Sequence, residues 1–322
     1  MFLKSFMSVL FAGVLSSSGW AQPVDLTVAA LKFGTVNWEL NTISHHELDA
    51  EQGFMLKVLG VAGGSAAKVA FQGGAVDAIV SDWLWVARQR AAGKDYVFIP
   101  YSKAVGGVVV GQDSEARTLA DLAGQKIGIA GGPLDKSWLI LRAYAAQEYG
   151  LDLMAKTEQV YGAPPLIFKS TLSGETDAAI NFWHFMAKMQ AAGMRKLVDI
   201  SDAAAALGLD PETPLLGYVV KGELLRKDPD LVYGLFAASR AAKELLMFDD
   251  GEWDRLRPKM NAKSDAEFEA LKAGFRTGIP AKGPIDEAAA DRMLKLMVTF
   301  GGEKLVGQAM SLPEGVFLRV ED

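Results

Sequence analysis

Gly74-Ala75-Val76-Asp77-Ala78-Ile79-Val80-Ser81-Asp82-Trp83 is written a second time one hundred residues later, as Gly174-Glu175-Thr176-Asp177-Ala178-Ala179-Ile180-Asn181-Phe182-Trp183. The echo runs on through Ala87 and Ala187 to Ala91-Ala92-Gly93 and Ala191-Ala192-Gly193, and Trp38 has Trp138 upstream at the same offset. Each copy reads as a turn glycine, a short apolar strand, a capping position and a helix. A single repeat this long is no solenoid, which needs shorter and more numerous units. Two similar halves, each with a Trp just after a strand, predict two lobes facing one another across a cleft.

Bulk properties narrow the class. The 322 residues carry a net charge of −6 built from interspersed charges, and no basic stripe is present to follow a phosphate backbone, so nucleic acid is not an expected partner. Half of the residues are apolar, which speaks against disorder. There is no cysteine, hence no disulfide, no thiolate metal site and no thiol nucleophile. Lys4, the apolar run Phe6 to Leu15 and the small residues around Gly19-Trp20-Ala21 read as a signal peptide over residues 1–21. With no acylated cysteine as a tether, the expectation is a free periplasmic or secreted monomer.

Strands and helices alternate. Leu26 to Lys32, Phe54 to Val61, Val76 to Val80 and Val97 to Pro100 read as strands, with helices after Phe33–Trp38, Gly63-Gly64-Ser65 and Ser81-Asp82. The pattern predicts an α/β fold of two doubly wound lobes joined by two crossover strands, near Gly106–Gly111 and Leu215–Val220. Residues 22–108 and 218–322 form the first lobe in this reading, and 109–217 the second. The helices from Asp228 onward, broken near Gly251, Pro258, Pro280 and Gly301-Gly302, are expected to pack back on the first lobe.

In open α/β sheets ligands bind beyond the carboxyl ends of the strands. The loops there hold Asn37, Trp38, Gly64, Ser65, Ser81, Asp82, Trp83, Asp135, Trp138, Asn181, Trp183 and His184. Four tryptophans in such loops suggest indoles that sandwich a planar or cationic solute. Asp82 and Asp135 would favour donors or cations, unless they serve as helix caps. Lys136 is the one cation in these loops and no Arg accompanies it, which argues against a bidentate anion site. Catalytic patterns are missing: His45 and His46 point to different helix faces, His184 stands alone, and neither a metal spacing, a phosphate loop nor a nucleophile elbow occurs.

Leu26-Thr27-Val28, Val36-Asn37-Trp38, Gly63-Gly64-Ser65, Gly74-Ala75-Val76-Asp77-Ala78, Val108-Val109-Val110, Leu119 to Gly128 and Gly174 to Ala179 together resemble the substrate-binding proteins of nitrate/sulfonate/taurine-type ABC importers, whose relatives bind thiamine pyrimidine precursors. The resemblance spans nearly the whole mature chain. It implies a type II periplasmic binding fold, a small-molecule solute, no cofactor, and a membrane permease and ATPase as partners. It places solute contacts at Asn37, Trp38, Ser65, Ser81, Asp82, Trp83, Asn181 and Trp183. The excess of Trp and the acidic loop residues depart from a simple sulfonate pattern and point to a heteroaromatic or amine solute. Iron-dependent pyrimidine synthases share the fold, but their Cys-rich segment is absent here. The alternatives are a sulfonate- or nitrate-type anion binder, an enzyme using Asp82 or His184 as base, and a sensory subunit.

Overall fold

The repeated stretch marks two equivalent sheets. The computed structural model describes residues 24–320; the expected signal peptide lies outside the described residues. The first half runs β1 (Val24–Leu31), α1 (Val36–His45), α2 (Leu48–Glu51), β2 (Phe54–Val61), α3 (Gly64–Gln72), β3 (Ala78–Asp82), α4 (Trp83–Ala91) and β4 (Tyr96–Ser102). The second runs β5 (Gly107–Val110), β6 (Lys126–Ala130), α5 (Lys136–Tyr149), α6 (Leu153–Lys156), β7 (Glu158–Gly162), α7 (Pro164–Leu172), β8 (Ala178–Asn181), α8 (Trp183–Ala191), β9 (Arg195–Asp199) and α9 (Ile200–Ala206). The chain then returns through β10 (Leu216–Lys221) and closes with α10 (Gly222–Lys227), α11 (Pro229–Phe248), α12 (Asp250–Met260), α13 (Asp265–Thr277) and α14 (Glu287–Val306).

Strand order is β2-β1-β3-β10-β4 in one five-stranded sheet and β7-β6-β8-β5-β9 in the other. In each, three parallel strands are followed by an antiparallel one, β10 against β3 and β5 against β8. The repeat motif has the same job in both. Gly74 and Gly174 turn at φ +77° and +79°, where a side chain is strained. The Asp three residues on then clamps the start of the neighbouring strand. Asp77 accepts the Thr27 N–H at 2.8 Å and donates its own N–H to the Thr27 carbonyl; Asp177 does the same with Lys126, also at 2.8 Å.

The strand registers put the passage between sheets just ahead of each expected crossover: all of β5 pairs in the second sheet and all of β10 in the first. Both strands carry glycine where nothing else fits. A Cβ on Gly107 would stand 2.5 Å from the Val198 carbonyl oxygen, and one on Gly217 2.3 Å from that of Ile99. Lys103 and Glu212, one on each passage, pair at 2.6 Å.

The C-terminal helices return to the first lobe as expected, but two of them also reach the second. α11 and α12 pack on α1; α13 buries Phe268, Leu271 and Phe275 in the same first-lobe cluster while its other side lies against α8, and α14 touches both α4 and α5. Their apolar stripes are long enough to serve two surfaces. α14 bends at Gly302, whose φ of 61° breaks the helix. Beneath α1 a buried polar hub joins three elements, α1, β10 and α11. Glu39 accepts from the Tyr218 hydroxyl at 2.8 Å, the Ser239 hydroxyl at 2.7 Å and the Lys243 ammonium at 2.5 Å. An ion pair this buried persists because every charge has partners. Among the described residues no helix is long and apolar enough to cross a membrane.

Candidate functional site

The carboxyl ends of β1 and β3 open toward those of β6 and β8, and the helices that follow meet in two seams. At one, α4 faces α5. Asp82, the last residue of β3, caps α4: one oxygen accepts the Trp85 N–H at 2.9 Å. The other oxygen takes the ammonium of Lys136, from the first turn of α5, at 3.1 Å. Lys68 of α3 stands 4.8 Å over the Trp85 ring beside them.

Charges in this seam are coupled. Burial works against the Asp82 carboxylate, but Lys136, Lys68 and the Trp85 N–H together outweigh it and hold the group below the usual range. Burial also pulls Lys136 down, yet the Asp82 and Asp135 carboxylates more than compensate and its ammonium is raised. Lys68 has no such relief: burial lowers it, Asp82 opposes this only in part, and Lys136 and Arg88 add to the drop. Asp135 caps α5 by accepting the Trp138 N–H at 3.1 Å. Burial pushes its carboxyl up to about 6, against the N–H groups of Trp138 and Ser137 and the charge of Lys136.

At the other seam α1 faces α8. Trp38 and Trp183 meet edge to face with centroids 6.1 Å apart, and Trp38 also touches Trp253 and Phe275, each at 5.9 Å. His184 sits among Trp183 at 5.6 Å, Phe185 at 4.8 Å and Phe182 at 6.3 Å. Burial, with Lys188 adding to it, lowers His184 to about 4, so the ring is neutral at physiological pH.

The remaining expected residues sort by their partners. Gly64 and Ser65 open α3 and are exposed, and among the described residues no acceptor meets the N–H groups of Gly64, Ser65 and Ala66. Asn37 spends both amide hydrogens locking its loop, on the carbonyls of Leu31 at 2.7 Å and Gly34 at 2.8 Å. Asn181 is buried and committed to backbone, donating to Pro164 and accepting from Phe182. Ser81 is buried within β3. Trp83 and Trp138 depart from the expected exposed position: both are fully buried in the core, each with its indole N–H lacking a hydrogen-bond partner among the described residues. Each follows an Asp cap, and the first turn after a cap packs its large side chain inward. Trp83 lies 5.7 Å from Phe317, on the tail segment that pairs with β4. The expected indole sandwich is therefore replaced by a single edge-to-face pair.

Lys68 lies outside the loops, on the helix that Gly64 begins, four residues on, which is about 6 Å along the axis. Trp253, Phe275 and Gly274 come from distant helices and carry no local signal. Two cavities, of about 460 and 420 Å³, lie elsewhere, on outer faces of α5 with α14 and of α11. Among the described residues no cluster of His, Asp and Glu is arranged to hold a metal.

With this geometry, the comparisons place the chain. Residues 35–250 match the NMT1/THI5-like family model, and the chain belongs to that family. Its fold is the two-lobed fold of periplasmic binding proteins. The alkanesulfonate-binding protein SsuA of Xanthomonas axonopodis pv. citri, solved bound to MOPS, is similar at TM-score 0.71 and 19% identity, over 93% of this chain and 100% of that one. The periplasmic aliphatic sulphonate-binding protein SsuA of Escherichia coli is similar at TM-score 0.70 and 19% identity, over 88% and 94%. An enzyme, the desulfurization enzyme DSZB, also shares the fold at TM-score 0.58 and 18% identity, over 91% and 97%. No curated protein matches the sequence.

Proposed function

We propose that this chain is the periplasmic solute-binding component of an ABC importer, and that it takes a small organic anion at the seam between its lobes and passes it to a permease driven by an ATPase. The observation that carries the reading is the α4–α5 seam. Two ammonium groups converge there from opposite sheets, Lys136 already bonded to Asp82 and Lys68 in no salt bridge among the described residues, so that Lys68 is the cation left for a solute, and the first turn of α3 offers backbone N–H groups beside it. Free N–H groups at a helix start and fixed cations both favour negative charge. The sulfonate-binding neighbours support the same class. In this reading the lobes are residues 22–108 with 218–322, and 109–217, each boundary drawn a few residues earlier so that β5 and β10 stay with their sheets.

The heteroaromatic or amine solute loses ground on two counts. Trp83 and Trp138 belong to the core, and the Asp82 charge that would have met an amine already has Lys136. The enzymatic alternative has little to work with at neutral pH: a His with a pKa of about 4 is a weak base, and the Asp82 carboxylate is held well ionised. Closure about the glycine-bearing passages would bring both lobes onto the solute and shift the population toward the closed form.

A thermal-shift panel tests this. Alkane- and arylsulfonates and carboxylates should raise the melting temperature, while pyrimidines and quaternary amines should not. A response confined to amines or pyrimidines would overturn the anion reading.

A further inference from the structure

Trp183 belongs to the second sheet through α8, yet its surroundings belong to the first. Its ring meets Trp38 of α1, and it packs against the same apolar cluster as Trp253 of α12 and Phe275 of α13. Ala187, one turn further along α8, is part of that cluster too, and Lys188 donates to the Asn261 carbonyl at the end of α12 at 2.9 Å. The fit against α13 depends on a missing side chain: a Cβ on Gly274 would lie 2.7 Å from Cζ3 of the Trp183 ring and 2.8 Å from Cε3. The indole rests directly on helix backbone at that point.

We propose that Trp183 is the closure anchor of this protein, an indole carried by one lobe that plugs a socket in the other formed by Trp38, Trp253, Phe275 and the bare face of Gly274, so that it sets the angle between lobes instead of walling the solute. The proposal rests on the reading of the chain as a two-lobed solute receptor. Three features favour an anchor over a solute contact. The ring meets Trp38 edge to face at 6.1 Å and His184 of its own helix at 5.6 Å, and it lies in the same apolar cluster as Trp253 and Phe275. The polar groups suited to a small anion lie at the other seam. And a glycine at this point of α13 costs helix stability, a cost that the approach of a ring from the opposite lobe offsets. Trp183 and Gly274 are then positioning residues, acting on affinity through the population of the closed form.

The test uses the absence of cysteine from the chain. Spin labels at Val69→Cys on α3 and Leu166→Cys on α7, both exposed positions on opposite lobes, report lobe separation in the otherwise intact protein. Gly274→Val should move the main distance outward by several ångströms, with far-ultraviolet dichroism unchanged. Trp183→Leu should open the lobes as well, and the double variant Gly274→Val with Trp183→Leu should restore much of the short distance, because the smaller plug fits the filled socket. A purely structural role for Gly274 would give no such rescue. The proposal is overturned if Gly274→Val leaves the distance distribution of the wild type in place, or if the double variant opens further than either single one. Whether the protein binds organic anions is read separately, by titration calorimetry with butanesulfonate; failure there would sink the anion reading and leave the distance measurements to decide the anchor.

Discussion

The α1–α8 seam and the α4–α5 seam occupy the same place in the repeat. α1 corresponds to α5 and α4 to α8, one hundred residues apart, so each seam joins the first loop of one half to the second loop of the other. Their chemistry is opposite. Where the charged seam has Asp82 and Lys136, the aromatic seam has Phe182 and Val36. Where the aromatic seam brings Trp38 and Trp183 together, their counterparts Trp138 and Trp83 are drawn into the core. The repeated halves give two equivalent contacts between lobes, and the residues at a few positions make one polar and the other apolar. A receptor gains from that split, since one seam can exchange partners with a charged solute while the other only opens and shuts.

The comparison breaks most sharply at Lys136. Lys136→Met strands the Asp82 carboxylate in a largely buried seam. Removing one partner of a fully buried pair costs roughly 3–5 kcal/mol; partial solvent access here reduces the expected loss to about 2–3 kcal/mol, read as a lower denaturation midpoint. Asp82→Asn should cost less, because Asn still caps α4. Next comes Trp183→Ala, which removes about 1–2 kcal/mol of burial and aromatic contact; Trp183→Phe should recover most of it. A third contrast is ionic strength. Raising salt from about 0.05 to about 0.5 M should weaken anion binding severalfold, while the penalty of Trp183→Ala stays constant, since screening acts on charges alone. An equal salt response at both seams would contradict the division.

An effect of comparable size, but dependent on pH, concerns Asp135. Its carboxyl keeps a proton in the fold up to about pH 6 but releases it near its ordinary 3.8 in the unfolded chain. The folded state therefore binds more protons over that interval, and this group's contribution to stability falls as pH rises from about 4 to about 6. Asp135→Asn keeps the α5 cap and should flatten that slope, leaving the variant more stable than the wild type at pH 7 by up to about 2 kcal/mol. An unchanged pH profile of melting temperature would count against it.

Much of the fold is legible in sequence because repetition is a local signal read twice. Gly74 and Gly174 announce their turns by type and spacing, whereas the clamps made by Asp77 and Asp177 emerge only from the strand registers. The short strands β7 and β9 escape notice, being half-exposed and only five residues each. The site is less legible. Loop position finds Asp82 and Gly64, but it cannot tell Trp38, which reaches the seam, from Trp138, which turns into the core. That choice depends on what packs opposite, as Phe275 from α13 does beside Trp38. Lys68 was missed because helical spacing, not loop membership, brings it to the seam, and the Glu39–Lys243 pair spans 204 residues that no local pattern joins.

Titration calorimetry of butanesulfonate into the wild type and into Lys136→Met is the most direct test of the charged seam as the solute site. The account predicts saturable one-to-one binding to the wild type and an affinity at least about tenfold weaker in the variant, equivalent to about 1.4 kcal/mol. Equal affinities in the two proteins would place the solute elsewhere and contradict it.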